Sequence, residues 1–270
     1  MAKKQANRLS KQHVASEGPK GIFGKSAQEH DLSVNDVSKL TLETLVKEFP
    51  RLEFRYRKEL KKSEINKKLN EVDPRLGKTI FVEESKIKPD GGIIEVKDKE
   101  DKWRIIFVSE AKHQGKDIEN ITAGILVGKN KDQDIMVAGN AIERSHKNIS
   151  EIRNIMIAEK HFPYVLFLQG SNFLTESMIV KFPDGREVEL KYTDGSLNRI
   201  DRLTAANYSL PVNQNSCENI FISVNGQMIM LQAVSIYTKA TPWTIEEMHK
   251  ISIDIARTSL KIIGFKRDTN

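Results

Sequence analysis

Two carboxylates and one ammonium stand at the ends of two neighbouring apolar segments. Asp90 lies two residues before the start of the apolar segment 92–96. Glu110 ends the apolar segment 103–110, and Lys112 follows it by two residues. The polar stretch KDKEDK separates the two segments, which predicts a β-hairpin. Side chains two residues apart project from the same face of a strand. We therefore expect Glu110 and Lys112 to share a face, and strand pairing to bring Asp90 near it.

This arrangement suits metal-assisted phosphoryl chemistry. Asp90 and Glu110 supply the hard oxygen ligands that Mg²⁺ prefers, and the Ala111 carbonyl is a candidate third ligand. Mg²⁺ would polarise a phosphoryl oxygen and lower the pKa of a bound water. Lys112 would stabilise the charge that develops on the phosphoryl group or orient the attacking water. The alternative interpretation is a surface salt bridge, and the three residues alone leave both open.

The Glu-x-Lys spacing is not specific by itself. It recurs at Glu84, Glu95, Glu100 and Glu189, but only Glu110 ends a segment that is apolar on both faces. Such a segment is typical of a strand in the middle of a sheet, under helices. This context separates Glu110 from the other four glutamates.

Nucleotide and zinc sites are disfavoured. GPKGIFGKS at 18–26 has Pro19 where a phosphate-binding loop requires glycine, and no predicted strand precedes it. GILVGKN at 124–130 is one residue short and lacks the hydroxyl that would hold magnesium. The six histidines show no metal-ligand spacing, and there is no cysteine pair. These patterns predict neither an NTPase nor a zinc protein.

Composition indicates a soluble globular protein. The 270 residues are 39% hydrophobic and 30% charged, and no apolar run approaches the roughly 20 residues of a membrane span. The single cysteine, Cys217, excludes an internal disulfide framework and predicts a reducing, cytoplasmic location. We expect residues 1–17 to form a flexible arm and residues 18–270 a single domain.

Basic residues are concentrated near the N-terminus. Residues 1–25 hold six basic residues against one acidic, or +5 of the formal +6. Such a segment either binds a polyanion with salt-dependent affinity or is a solvated tail, and charge alone does not decide. A second basic cluster, 55–68, is interpreted as a solvated helix face that could touch phosphate.

Periodicity predicts an α/β fold with a mixed sheet. Asn140 with Glu143, and Thr244 with Glu247, match the capping-box pattern at helix starts. Asn225-Gly226 predicts a turn between two apolar runs. Helices are predicted over 34–49, 117–127, 141–160 and 244–264, and strands over 79–83, 92–96, 103–110 and 164–170.

Several long motifs resemble the EcoRI-type family of type II restriction endonucleases. They are IKPDGG, EAKHQGKD, AGNAIERSHKNISEI, FPYVLFL, GSNFLTE and LNRIDRLTAANY, within about Gly21 to Tyr237. The terminal segments fit less well, which favours an isoschizomer or other close relative over the enzyme that names the family. The resemblance implies a PD-(D/E)XK core and a Mg²⁺-dependent homodimer. It also implies cleavage of GAATTC in double-stranded DNA after the G, leaving 5′-phosphates, with a separate methyltransferase protecting the same site.

The same resemblance assigns roles to individual residues. Asp90, Glu110 and Lys112 take the catalytic positions, and Asp90 and Glu110 hold the metal. Glu143 and Arg144 begin the inner helix and meet adenines and the opposite subunit. Val137 stands where the family has alanine. An extended chain in the major groove is assigned to Met136, Ala138, Gly139, Asn140 and Ala141, supporting recognition to Arg199 and Arg202, and phosphate contacts to Lys88, Lys116, Lys147 and Asn148.

Two alternatives remain open from the residues themselves. Arg144 could pair with Glu143 or Glu151, and Arg199 and Arg202 with Asp194 or Asp201, in place of DNA contact. The whole chain could also be a sequence-specific DNA-binding protein with an inactive nuclease core, or a repair nuclease on the same core.

Overall fold

The computed structural model describes residues 25–78, 81–125, 140–192, 194–210 and 212–266. Side chains are described within these ranges except at 25–27, 140–144, 195–196 and 199. Three parts of the sequence interpretation lie outside the described residues: the expected N-terminal arm 1–17, most of the segments 18–26 and 124–130, and residues 136–139 of the expected recognition segment.

A five-stranded mixed sheet forms the centre of the fold. Its strands, in spatial order, are β1 (Phe54–Arg57), β4 (Gly92–Lys97), β5 (Trp103–His113), β6 (Tyr164–Gln169) and β11 (Ser235–Lys239). The first three strands pair antiparallel, whereas β5, β6 and β11 are parallel. The expected α/β class with a central mixed sheet is confirmed, and β5 lies in the middle as its apolar sequence predicts.

Helices cover both faces of the sheet. One face packs against α1 (Lys25–Glu48) and α6 (Ile245–Ile262), with Phe107 and Phe167 in that core. The opposite face packs against α2 (Ser63–Val72), α4 (Asn140–Ile155) and α5 (Asp194–Ala206). Strand β5 contributes to both cores: Ile105 and Val108 enter one, and Ile106, Phe107 and Ala111 enter the other. A register shift against β4 at Ile94/Glu95 interrupts the regular alternation there.

The remaining elements are short and peripheral. Strand β2 (Leu60–Lys61) pairs with β3 (Lys86–Ile87), and β7 (Met178–Lys181) pairs with β8 (Glu187–Leu190). Helix α3 (Asp117–Thr122) follows β5. Strands β9 (Ile220–Val224) and β10 (Gln227–Leu231) form a separate two-stranded hairpin. In the described part of the chain, no helix is long and apolar enough to cross a membrane.

Most predicted elements are present, and the start of α6 is confirmed in detail. The Thr244 side chain accepts a hydrogen bond from the Glu247 amide, and the Glu247 side chain bonds back to the Thr244 amide. The turn Asn225-Gly226 joins β9 and β10, with both residues at positive φ (51° and 77°) as a tight hairpin requires. Strands 92–96, 103–110 and 164–170 are also confirmed.

Other predictions need correction. The strand over 79–83 is wrong for 81–83, where Phe81 and Val82 are exposed in a turn without a neighbouring strand. The helix over 34–49 begins earlier, at Lys25, and the helix over 117–127 ends at Thr122 because Gly124 (φ +80°) enters the left-handed region.

Two further corrections concern α4 and the second basic cluster. Helix α4 ends at Ile155, not at 160, and it already includes Asn140, which was expected to precede it as a cap. In the cluster 55–68, Arg55 and Arg57 lie on strand β1, and both bridge the buried Glu95, at 2.5 and 3.7 Å. The buried partner explains why these arginines are not on a solvated helix.

Candidate active site

The position of Asp90 is set by the two glycines that follow it, whose backbone packs closely against neighbouring side chains. The Gly91 amide bonds to the Ser109 carbonyl, which joins the segment to β5. A Cβ on Gly91 would lie 1.9 Å from Ser109 Oγ and 2.7 Å from a Val34 methyl, so only glycine fits. Gly92 has φ +75°, and a Cβ there would lie 2.4 Å from the Tyr56 hydroxyl. The two glycines thus bring the Asp90 carboxylate to the side of β5.

Asp90, Glu110 and Lys112 meet at one point. The Lys112 ammonium donates to Asp90 Oδ2 at 2.7 Å, to Glu110 Oε1 at 2.5 Å and to the Ala111 carbonyl at 2.7 Å. The Ala111 amide also donates to Asp90 Oδ2, at 3.1 Å. Glu110 and Lys112 share a face of β5, as alternation along a strand predicts, and the Lys112 ammonium bridges the Asp90 and Glu110 carboxylates.

Helix α4 and strand β6 hold the Glu110 carboxylate, whose residue is only 1% exposed. Asn148 Nδ2 donates to its Oε1 at 2.9 Å, and the Tyr164 hydroxyl donates to its Oε2 at 3.3 Å. Burial raises the pKa of Glu110 to about 6; Lys112 opposes this shift and Asp90 adds to it. Burial and Glu110 also raise the pKa of Tyr164 well above its ordinary value, so its hydroxyl stays a donor.

The burial of this group is evidence against a simple surface salt bridge. The Lys112 side chain is 17% exposed and that of Glu110 2%. Burial lowers the pKa of Lys112, but Glu110 and Asp90 together hold it above its ordinary value. Taking charges out of water costs several kcal/mol for each ion, so a buried cluster of this kind lowers the stability of the folded protein. A buried charged cluster at a strand end is a candidate functional site on that ground.

The oxygen atoms around the ammonium fit a divalent cation. Asp90 Oδ2, Glu110 Oε1 and the Ala111 carbonyl already converge on one positive charge. Carboxylate and carbonyl oxygens are the ligand type that Mg²⁺ takes. Within the described ranges, no group of three or more His, Cys, Asp and Glu side chains forms a metal site, so two carboxylates and a backbone carbonyl make up this donor set.

Helix α1 adds two titratable residues beside the cluster. His30 is 3% exposed, and its Nε2 lies 3.3 Å from the Phe167 carbonyl. Burial lowers the pKa of His30 to about 4, so the ring is neutral at pH 7. Burial, with a contribution from Asp90, raises the pKa of the half-buried Asp31 to about 6. Sequence reasoning identified neither residue.

The expected phosphate contacts lie in different surroundings. Lys147 is exposed on α4, and Lys88 is 65% exposed with its ammonium 3.3 Å from Glu59. Lys116 precedes α3 and is half-buried. Asn148 instead contacts Glu110, a contact that the sequence interpretation missed.

The expected recognition residues are described only in part. Asn140, Ala141, Glu143 and Arg144 occupy the first turns of α4, and Arg199 lies on α5, but their side chains lie outside the description. Arg202 is exposed on α5 and forms no ion pair with the side chains that are described. Glu151, one of the two alternative partners of Arg144, bridges Lys62 at 2.6 Å.

Comparison with known proteins identifies the family. A family model described as restriction endonuclease EcoRI matches residues 16–270. The chain is 59% identical over 264 residues to the type II restriction enzyme EcoRI of Escherichia coli, covering 97% of this chain and 95% of that enzyme. It is 54% identical over 268 residues to the type II restriction enzyme RsrI of Cereibacter sphaeroides, covering 99% and 97%.

The expected resemblance, including a close relative in place of EcoRI itself, is confirmed. The match spans the central sheet, the helices on both of its faces and the buried cluster of Asp90, Glu110 and Lys112. The chain therefore belongs to the EcoRI family of type II restriction endonucleases.

Proposed function

We propose that the protein is a Mg²⁺-dependent homodimeric endonuclease that cuts double-stranded DNA at GAATTC. It cleaves after the G and leaves 5′-phosphates on overhanging ends. The convergence of Asp90, Glu110 and Lys112 on one buried point, in a chain of this family, carries the proposal. A homodimer matches a palindromic site, because each protomer presents one active site to one strand.

In this proposal Asp90, Glu110 and the Ala111 carbonyl hold the metal. Bound Mg²⁺ supplies charge neutralisation at the phosphoryl group and a more acidic water. With both carboxylates ionised, the cluster of Asp90, Glu110 and Lys112 has a net charge of −1 and would repel a phosphate. A divalent cation reverses that sign. Asn148 and Tyr164 keep the Glu110 oxygens oriented for this role.

Lys112 has the proposed role of stabilising charge on the reacting phosphate. In the hydrolysis, a water oxygen forms a bond to phosphorus and the bond from phosphorus to the 3′ oxygen breaks. The products are a 5′-phosphate and a 3′-hydroxyl. The ammonium remains protonated, since the neighbouring carboxylates raise the pKa of Lys112. It can therefore offer hydrogen bonds to the phosphoryl oxygens as their negative charge grows.

Recognition is proposed for the segment that leads into α4. Asn140 and Arg144 are residue types that read adenine and guanine in the major groove. Lys88, Lys116 and Lys147 are proposed phosphate contacts, and Arg202, which is exposed on α5, supports recognition. The proposal includes Met136, Ala138, Gly139, Ala141, Glu143 and Arg199 in the same interface.

The test is digestion of plasmid containing one GAATTC site, beside a plasmid with one base of that site altered. We expect cutting only at GAATTC and only with Mg²⁺, with none in EDTA. Glu110→Gln should abolish cutting yet retain binding to GAATTC duplex in EDTA. Glu189→Gln is a matched control, because Glu189 has the same Glu-x-Lys spacing and is exposed on strand β8. Full activity of Glu110→Gln, or metal-independent binding by a wild-type protein that does not cut, would contradict the proposal.

A further inference from the structure

A small cavity lies between helices α4 and α5 and the start of strand β11. Its volume is about 40 Å³. Apolar side chains form much of its wall: Ile149, Leu203, Val234 and Ile236. One water requires roughly 10–15 Å³ of such space, so the cavity holds about three waters or one ligand of about four non-hydrogen atoms. No Asp or Glu side chain is among the described residues that line it.

Arg153, on α4, brings a positive charge to this cavity. One of its terminal nitrogens donates to the Gln232 carbonyl at 2.7 Å. Its Nε atom is shielded from solvent and has no hydrogen-bond partner among the described residues. The guanidinium carbon lies 5.4 and 5.5 Å from the ring centres of Phe162 and Tyr208, whose π faces stabilise part of the charge. Aromatic rings carry no net charge, so the cation remains without an anionic partner.

Two other half-buried arginines show what Arg153 lacks. Arg57 pairs with Glu64 at 2.7 Å, and Arg104 pairs with Asp98 at 3.1 Å. Burial acts to lower the pKa of both arginines, but their paired carboxylates outweigh it and raise the pKa. Burial lowers the pKa of Arg153, and no carboxylate of the described chain opposes this effect. A half-buried guanidinium of this kind is expected to bind an anion.

Asn207 supplies a second donor at the cavity. It directly follows α5 and is 1% exposed. Its Oδ1 accepts a hydrogen bond from the Val234 amide at 2.7 Å, which fixes the orientation of the side chain. Its Nδ2 is buried and has no partner in the described part of the chain. Buried donors are normally hydrogen-bonded, so this one indicates a place for a ligand acceptor.

We propose that this cavity is a binding site for a small monocarboxylate of about the size of acetate. Its carboxylate oxygens accept hydrogen bonds from Arg153 Nε and Asn207 Nδ2, and its single charge balances the guanidinium. Its short alkyl part contacts the apolar wall. Waters would satisfy the two donors but would leave the charge of Arg153 uncompensated. The phosphodiester backbone of DNA is too large for a cavity of about 40 Å³.

A bound carboxylate connects the C-terminal ends of α4 and α5. Arg153 lies in the last turn of α4, and Asn207 directly follows α5. For a ligand of about four non-hydrogen atoms, we expect a Kd on the order of 1 mM. A ligand that binds only the folded protein stabilises it by mass action. About 50 mM acetate should therefore shift the unfolding equilibrium roughly fiftyfold toward the folded state and raise the unfolding temperature by on the order of 5 °C.

The test is titration of the full chain, without DNA, with isotope-labelled acetate, read from the broadening of the acetate NMR signal. Arg153→Met removes the charge. Asn207→Asp keeps the acceptor for the Val234 amide and replaces the free donor with a negative charge. Arg186→Met is the matched control, because Arg186 also lies over an aromatic ring, at 4.8 Å, but pairs with Asp184. Trimethylacetate has the same charge as acetate and is too large for the cavity, so it controls for non-specific binding.

We expect acetate to bind the wild type and the control variant with Kd values within about twofold of each other. Both cavity variants should bind it at least about tenfold more weakly, because each loses a donor to a charged group. Trimethylacetate should show no saturable broadening. Asn207→Asp should also lose the rise in unfolding temperature with acetate. If Arg153→Met does not fold by far-UV circular dichroism, Asn207→Asp decides the question.

The inference is independent of the proposed endonuclease function, because no DNA or cleavage enters the test. No saturable acetate binding to the folded wild type up to about 50 mM would overturn it, since roughly 1 mM is the expected Kd. Equal acetate binding by wild type and Asn207→Asp would overturn it as well, and so would equal binding of trimethylacetate. None of these outcomes changes the reading of the GAATTC digestion.

Discussion

Replacing Asn148 with leucine tests whether this residue acts on Glu110 or on DNA. The sequence interpretation made Asn148 a phosphate contact, whereas the structure places its amide 2.9 Å from Glu110 Oε1. Leucine has a similar size and cannot donate a hydrogen bond. A hydrogen bond to a charged group contributes about 1.5–3 kcal/mol, and Glu110 is buried, so water cannot replace the lost donor.

The expected result is slower cleavage with unchanged DNA affinity. If the lost hydrogen bond is needed to orient Glu110 in the transition state, 1.5–3 kcal/mol corresponds to a rate about 10- to 150-fold lower. Single-turnover cleavage at saturating protein measures that rate. Binding to GAATTC duplex in EDTA, at several salt concentrations, measures affinity separately.

Two control variants sharpen this experiment. Tyr164→Phe removes the longer hydrogen bond to Glu110, at 3.3 Å, and should slow cleavage less than Asn148→Leu. Ser150→Ala changes an exposed residue of the same helix and should leave the rate unchanged. A normal single-turnover rate in Asn148→Leu, together with weaker binding in EDTA, would refute the positioning role and restore the phosphate contact.

Three further predictions concern the fold around the site. Gly91→Ala should destabilise the protein by about 1–3 kcal/mol in urea unfolding, because the new Cβ would lie 1.9 Å from Ser109 Oγ. Adding Ser109→Ala should recover part of the lost stability. If it recovers none, the clash lies elsewhere. Burial lowers the pKa of His30 to about 4, so the neutral ring contributes fully to the free energy of unfolding above pH 6.5, and on the order of 3 kcal/mol is lost as pH falls toward 4. In His30→Gln the unfolding free energy should therefore decline less steeply over that pH range. An equal slope would exclude His30 as the cause of the decline. Cys217 is buried, and burial raises the pKa of its thiol to about 12. The native protein should therefore react with a thiol reagent only at the rate of unfolding. Immediate labelling at pH 8 would contradict this placement.

The centre of the sheet was predictable because its signals are local. Strand β5 is apolar on both faces over consecutive residues, and the polar turn before it predicts the hairpin with β4. The meeting of Asp90 with Lys112 follows from pairing two strands that are close in sequence. The side-by-side placement of Glu110 and Lys112 needs only the two-residue period of a strand.

The edges of the sheet were not predictable from the same signals. Strand β1 is four residues long and reads FRYR, so its arginines suggested a solvated helix. Its strand conformation depends on pairing with β4 and on the buried Glu95, which forms ion pairs with Arg55 and Arg57. The opposite error occurred at 81–83, where β-branched and aromatic residues favoured a strand, but none of the described strands pairs with these residues in a ladder. Strand formation depends on partners, and local propensity alone does not supply them.

Contacts between distant segments were also beyond sequence reasoning. Asn148 and Tyr164 lie 38 and 54 residues from Glu110 along the chain, and no spacing rule relates them to it. The pattern of the hairpin of β9 and β10 predicted its turn but not its exposure. Two apolar runs around Asn225-Gly226 look the same in sequence whether they face a core or solvent.

Helix α4 connects two proposed parts of the enzyme. Its first residues follow the proposed recognition segment, and Asn148 in its middle holds Glu110. A helix is a rigid element, so a shift at one end is transmitted to the residues along it. In the proposed complex, correct DNA would contact the residues at the start of this helix. A shift of the helix on a wrong sequence would move Asn148 relative to the Glu110 carboxylate that it holds, which would make the cleavage rate depend on sequence.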